Sequence, residues 1–287
     1  MSDEVAFLFA SGKEKLVGVL HTPDRPAKVG LIIVVGGAQY RVGSHRQFVL
    51  LARDLATHGV AVMRFDYKGT GDSEGELGQP EPCEHLGADI RAAVDVLLDR
   101  LPDLEKIVLW GLCDGASAIL LYAHHDPRVK GAVLLNPWVR TPGGHAKSVI
   151  KHYYFRRLAD RHLWRKVIRG EFHIVESVKS AFLLCATVGQ ALKQREPQDT
   201  IKKPTLPERM AEGLERFSGR VLLVLSGRDL VAAEFKDMLS VSSTWRKLIG
   251  SKSEVTRVDY SEANHTFSRD EWRKQVARWT KDWILCL

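Results

Sequence analysis

Cysteine is scarce in this sequence. There are four in 287 residues, at positions 83, 113, 185 and 286, with no C-x-x-C pair and no metal-ligand spacing. That scarcity excludes a disulfide scaffold and a zinc site of ordinary pattern, and free thiols are expected. Three of the four read as small hydrophobes or surface residues. Long apolar runs are also missing. No stretch nears the roughly 18 consecutive apolar residues of a membrane-spanning helix, so no transmembrane segment is expected. Charge of one sign does not dominate either, with 42 basic against 35 acidic residues and a net charge of +7. A dedicated nucleic-acid reader would need a basic stripe and a reading element, so no nucleic-acid partner is expected. The opening Met-Ser-Asp-Glu lacks the basic and apolar regions of a secretory leader, which makes a cytoplasmic location the expectation. No metal and no cofactor is implied, and there is no internal repeat.

What is present is an alternation of strands and helices. Val5–Phe9 and Leu16–Leu20, separated by Ser11-Gly12-Lys13, read as an antiparallel pair at a sheet edge. Val29–Val35, Gly59–Phe65, Lys106–Trp110 and Gly131–Leu135 are continuously apolar runs of the kind found in strands covered on both faces. Strand patterning resumes at Arg220–Leu225 and Glu254–Val258. Helical periodicity falls over about 48–58, 86–100 and 116–124, with a tryptophan-rich helix over about 269–284. The pattern predicts an α/β class protein with a mostly parallel, doubly wound sheet of about eight strands. The core would comprise 1–138 and 218–287. Residues 139–217, mostly helical and broken by the polar, proline-bearing stretch Glu196–Pro207, would form a lid inserted over the carboxyl edge.

The chemistry-bearing motif is Gly111-Leu-Cys113-Asp-Gly115, between a strand and a helix. By itself the pentapeptide also fits a buried cysteine in a glycine-rich turn. In this context it reads as a nucleophile elbow, whose flanking residues must be very small to clear neighbouring backbone. A thiol at a helix N-terminus is expected to have its pKa lowered by the helix dipole.

An elbow of this kind in an α/β chain resembles that of the α/β-hydrolase fold, and the resemblance implies a nucleophile followed along the chain by an acid and then a histidine. Asp229, in Ser226-Gly-Arg-Asp229, follows a strand. His265, in Ala263-Asn-His-Thr-Phe267, sits between the last strand and the last helix. Cys113, Asp229 and His265 are therefore the candidate catalytic triad. Tetrahedral chemistry also needs oxyanion donors. The candidates are the N–H groups of Asp114 and Ala38, with Gln39 as the alternative to Ala38. The loop running from Gly36-Gly37 to Gln47 is unusually polar, and Gly37, Gln39, Arg41 and His45 are its candidate substrate-binding residues. Asp66-Tyr-Lys-Gly-Thr-Gly-Asp72-Ser73 looks like a loop that braces the active-site face.

Two resemblances follow from these residues. A G-x-C-x-G nucleophile with aspartate and histidine resembles dienelactone hydrolases. Residue for residue, Gly36-Gly-Ala-Gln-Tyr-Arg-Val-Gly-Ser-His-Arg-Gln-Phe48 and Gly111-Leu-Cys-Asp-Gly-Ala-Ser117 look more like the exosortase A system-associated hydrolase type 1 group. His152-Tyr-Tyr-Phe-Arg-Arg-Leu158 and Leu163-Trp-Arg-Lys166 look similar too. That resemblance implies a bacterial setting of surface-protein sorting and exopolysaccharide synthesis, without naming a substrate.

The expected function is a hydrolase or acyl transferase acting on an ester or thioester through an S-acyl enzyme. Basic and aromatic residues crowd together between Lys147 and Arg169. They suit a small-molecule or carrier-bound acyl substrate, such as an acyl carrier protein or coenzyme A thioester. They equally suit a lid helix with one solvated basic face. The alternatives are a lactone or enol-ester hydrolase of the dienelactone type, and a non-catalytic ligand-binding scaffold.

Overall fold

The computed structural model describes residues 3–37, 39–76, 82–139 and 204–287. Most of the expected lid, 140–203, lies outside the described residues, together with its basic and aromatic cluster, Cys185 and Ala38.

Eight strands form one sheet: β1 (Asp3–Ser11), β2 (Glu14–Thr22), β3 (Val29–Val34), β4 (Val60–Phe65), β5 (Lys106–Leu112), β6 (Val129–Leu135), β7 (Arg220–Arg228) and β8 (Val255–Asn264). Their spatial order is β1-β2-β4-β3-β5-β6-β7-β8. β1 and β2 are antiparallel, β2 meets β4 antiparallel, and from β4 to β8 every neighbour is parallel. The α/β-hydrolase architecture read from the sequence is the one observed.

The described helices are α1 (Gln47–Thr57), α2 (Gly87–Arg100), α3 (Asp114–Tyr122), α4 (Leu206–Arg216), α5 (Leu230–Val241), α6 (Ser243–Ser251) and α7 (Asp270–Leu285). Side-chain alternation along β5 shows how both sheet faces are covered. Trp110 stacks edge-on with Phe48 of α1 (5.6 Å) and donates its indole N–H to Thr280 of α7 (3.3 Å). Ile107, of opposite parity, shares the Gly30 position with Leu97 of α2. Both faces being dry explains the unbroken apolar runs of β3 to β6, whose side chains are nearly all buried.

Arg64 is the buried charge within these strands. Arg64 of β4 is buried, with its guanidinium on His21 Nε2 (2.9 Å), Glu4 (3.0 Å) and the Arg41 carbonyl (2.8 Å). Burial, reinforced by the Arg64 charge, pushes His21 down to about 4, so a neutral imidazole is available to accept that bond.

The proline-bearing stretch that breaks the lid pattern starts a helix. Thr205 and Glu208 form a reciprocal capping box at the head of α4, with Pro207 in its first turn. α4 packs against α3 so closely that a methyl group at Gly213 would run into the Leu120 carbonyl. Helices α5 and α6 were not expected from the sequence. Their signals were the caps: Asp229 accepts from Val231 N–H and Ala232 N–H, and Ser242 accepts from Trp245 N–H.

Candidate functional site

All the candidate residues among those described leave the carboxyl ends of parallel strands, and strand register decides which of them meet. Leu112 of β5 lies opposite Leu135 of β6, so the next residues, Cys113 and Asn136, leave the sheet side by side. Arg228 of β7 lies opposite Asn264 of β8, so Asp229 and His265 do the same.

Cys113 occupies a sharp turn with φ 58° and ψ −121°, a left-handed conformation that a non-glycine residue adopts only when its surroundings enforce it. Its N–H donates to Leu135 O (2.9 Å) and its carbonyl accepts from Ser117 N–H (3.1 Å). The turn is tight enough that a methyl group at Gly115 would overlap the Val34 carbonyl oxygen. One at Gly36 would overlap Gly115 N–H. These glycines bring the loop after β3 against the head of α3.

Asp229 and His265 are joined directly, with Asp229 Oδ2 to His265 Nδ1 at 2.8 Å. The carboxylate is buried and also caps α5, whereas the imidazole is about 30% exposed. With Nδ1 bound to the acid, Nε2 is left for proton exchange.

The electrostatics of the thiol depart from the expectation. The Cys113 thiol is pushed up, not down, chiefly by burial and then by the Asp114 carboxylate, with Asp229 adding to it. The helix N-terminus does oppose this through the Asp114 backbone, but it is outweighed. Cys113 Sγ lies 3.8 Å from Asp114 Oδ1. Burial raises the Asp114 carboxyl as well, against the opposing effects of the thiol, of Gly37 N–H and of His265. Burial and the neighbouring carboxylate thus favour the neutral form of the Cys113 thiol.

The candidate oxyanion and substrate loop is held from beneath. Tyr67 O–H donates to Gly37 O (3.1 Å), and burial keeps this phenol protonated, at about 12. Gln39 Oε1 accepts from Ser44 N–H (3.2 Å). The Arg41 guanidinium is engaged by Asp66 and by Asp72 (2.6 Å), and its N–H by Asp66 (2.6 Å), which ties the loop to the 66–73 brace. Ser73 closes that brace by donating to Asp66 O (2.6 Å) and accepting from Val17 N–H (2.9 Å). His45 takes a left-handed turn at φ 55°. Asn136 is a site residue that the sequence analysis did not single out. Its one sequence signal was the turn-forming Asn136-Pro137.

The family model for serine aminopeptidase, S33, matches residues 27–193, more than half of the chain. The chain belongs to that family. Where the family name speaks of a serine, this S33 member carries Cys113 in the elbow. Two curated relatives match over shorter stretches. They are the polyketide transferase grgF of a Penicillium species (29% identity, 32% of this chain and 32% of the relative) and the quorum-quenching protein AidA of Acinetobacter baumannii (28%, 45% and 42%). The match thus spans less than half the length of either relative. Among solved structures, an esterase of Pyrococcus furiosus superposes with a TM-score of 0.61 at 15% identity, covering 98% of this chain and 91% of that one. A dienelactone hydrolase of Anabaena variabilis gives 0.62 at 17%, covering 99% and 97%. At such identities the likeness is one of fold.

Among the described residues no helix is long and apolar enough to cross a membrane, and no group of three His, Cys, Asp or Glu side chains is arranged to hold a metal. Cys83, Cys113 and Cys286 are free thiols.

Proposed function

We propose that this S33 member is a hydrolase or acyl transferase for esters or thioesters, in which Cys113 is the nucleophile, His265 the base and Asp229 the acid that orients it. The observation that carries the reading is the 2.8 Å bond between Asp229 and His265 Nδ1, beside an elbow that holds Cys113 at φ 58°.

In the first half-reaction Sγ bonds to the substrate carbonyl carbon while its proton passes to His265 Nε2. The oxyanion is met by the Asp114 N–H and by an N–H of the loop after Gly37, from Ala38 or Gln39. Collapse expels the alcohol or thiol, which takes the proton from His265 and leaves an S-acyl enzyme. Water or an acceptor hydroxyl or thiol then gives its proton to His265 and attacks the acyl carbon. The departing Cys113 sulfur recovers the proton. Because the resting thiol is neutral, attack depends on His265 from the start.

Thioesters fit this chemistry well, since exchange between two thiol leaving groups is near thermoneutral. The basic and aromatic residues between Lys147 and Arg169 are compatible with an anionic carrier such as coenzyme A or an acyl carrier protein. A polyketide transferase among the similar sequences and an esterase among the similar folds suit a site that passes the acyl group to water or to another acceptor. The loop and elbow motifs tie the reading to the exosortase A system-associated group.

The test is intact-protein mass spectrometry after mixing with a panel of acyl thioesters and activated esters, beside Cys113→Ala. A transient acyl adduct on the parent alone is expected. Equal turnover by the two proteins would remove Cys113 from the mechanism.

A further inference from the structure

The segment that follows β6 touches both halves of the site. On one side, Leu135 O accepts from Cys113 N–H (2.9 Å) and Trp138 N–H donates to Cys113 O (3.4 Å). The Ser117 hydroxyl, one turn into α3, donates to Trp138 O (2.7 Å). On the other side stands Asn136, fully buried and left-handed at φ 45°, a conformation asparagine tolerates better than most residues.

Every bond of Asn136 runs towards the acid and the base. Its N–H donates to Val224 O (3.0 Å) and its Oδ1 accepts from Ser226 N–H (2.8 Å), three residues before Asp229. Its Nδ2 donates to His265 O (3.1 Å). One short amide thus spans the exit of β7 and the loop of the base, while its own backbone is the register neighbour of Cys113. Only a side chain with both an acceptor and a donor at that length satisfies the two backbone groups at once.

We propose that Asn136 is a positioning residue, which fixes the His265 loop against the Asp229 strand end and so sets the imidazole relative to Cys113. His265 is then held at two points, its ring by Asp229 and its backbone by Asn136. A small error in base placement is costly because proton transfer requires hydrogen-bond reach. The inference rests on the Cys113–His265–Asp229 reading.

The experiment is a double-mutant cycle in single-turnover acylation by p-nitrophenyl acetate, followed by nitrophenolate release. It compares Asn136→Asp, His265→Ala and the double variant, with thermal melts of each. Asn136→Asp keeps the acceptor for Ser226 N–H and loses the donor to His265 O. The expected result is an acylation rate lowered roughly tenfold to a hundredfold with half-saturation unchanged, and a lowered melt that still leaves the protein folded at the assay temperature, since the buried carboxyl faces the His265 carbonyl unpaired. In the His265→Ala background the same change should have no further effect, because Asn136 acts through the base.

Equal losses in both backgrounds, a parental rate for Asn136→Asp, or a weakened half-saturation alone would overturn the proposal. If Asn136→Asp does not fold, Asn136→Gly, which accepts the left-handed backbone, carries the same comparison. Failure of both to fold would make the residue structural and overturn the proposal as well. If His265→Ala alone acylates like the parent, the triad reading itself has failed, which is a distinct outcome.

Discussion

The two halves of the site are built differently. The proposed nucleophile elbow is local: five consecutive residues, Gly111 to Gly115, link a strand to a helix, and the turn is enforced by backbone packed against glycines with no room for a side chain. The proposed acid–base pair, Asp229 and His265, is assembled from residues 36 positions apart, joined by one hydrogen bond and tied to Asn136 from 129 positions away. The elbow stores its geometry in strain and close packing. The pair stores its geometry in strand register and polar contacts. Steric damage should therefore destabilise the elbow, and polar damage should disable the pair while sparing the fold.

The largest effect is expected at the pair. Asp229→Asn keeps the shape but removes the charge that orients His265 Nδ1. The acylation rate should fall roughly a thousandfold with saturation little changed. A rate within tenfold of the parent would show that another group orients the imidazole.

The elbow should answer with stability. Gly115→Ala drives a methyl group into the Val34 carbonyl. A loss of roughly 2 kcal/mol or more is expected, or about 5 °C in a melt, since backbone on both sides must move. An unchanged melting temperature would mean that the turn is softer than its packing implies.

The smallest effect concerns the thiol. The Asp114 carboxylate, second to burial, holds the Cys113 thiol above its ordinary range, so the thiolate appears only as pH rises well into the alkaline range. Asp114→Asn removes a negative charge and shifts that appearance to lower pH. Alkylation by iodoacetamide at pH 8 should become several-fold faster, and its pH profile should move to the acid side. A profile that stays put would assign the whole shift to burial.

That thiol is also where reading the sequence failed. The Gly-x-Cys-x-Gly pattern located the elbow and its helix, and the dipole argument then predicted a depressed pKa. Burial and the next residue's carboxylate reverse it, and neither is visible as a spacing. Helices α5 and α6 were missed because the polar residues that cap them, Asp229 and Ser242, are single side chains whose capping bonds form only once the helix is in place. Asn136 was invisible because a fully buried asparagine after a strand looks like any other turn residue.

The sequence by itself determined the sheet. Continuous apolar runs bounded by turn residues and alternating with helical segments suit parallel strands covered on both faces, and Cys113 and Asp229 stand where two of those strands end. Tertiary structure decided which strand ends stand side by side. The pairings Leu112–Leu135 and Arg228–Asn264 set Cys113 beside Asn136 and Asp229 beside His265. Those pairings follow from the packing of whole strands, a property that no single motif in the chain encodes.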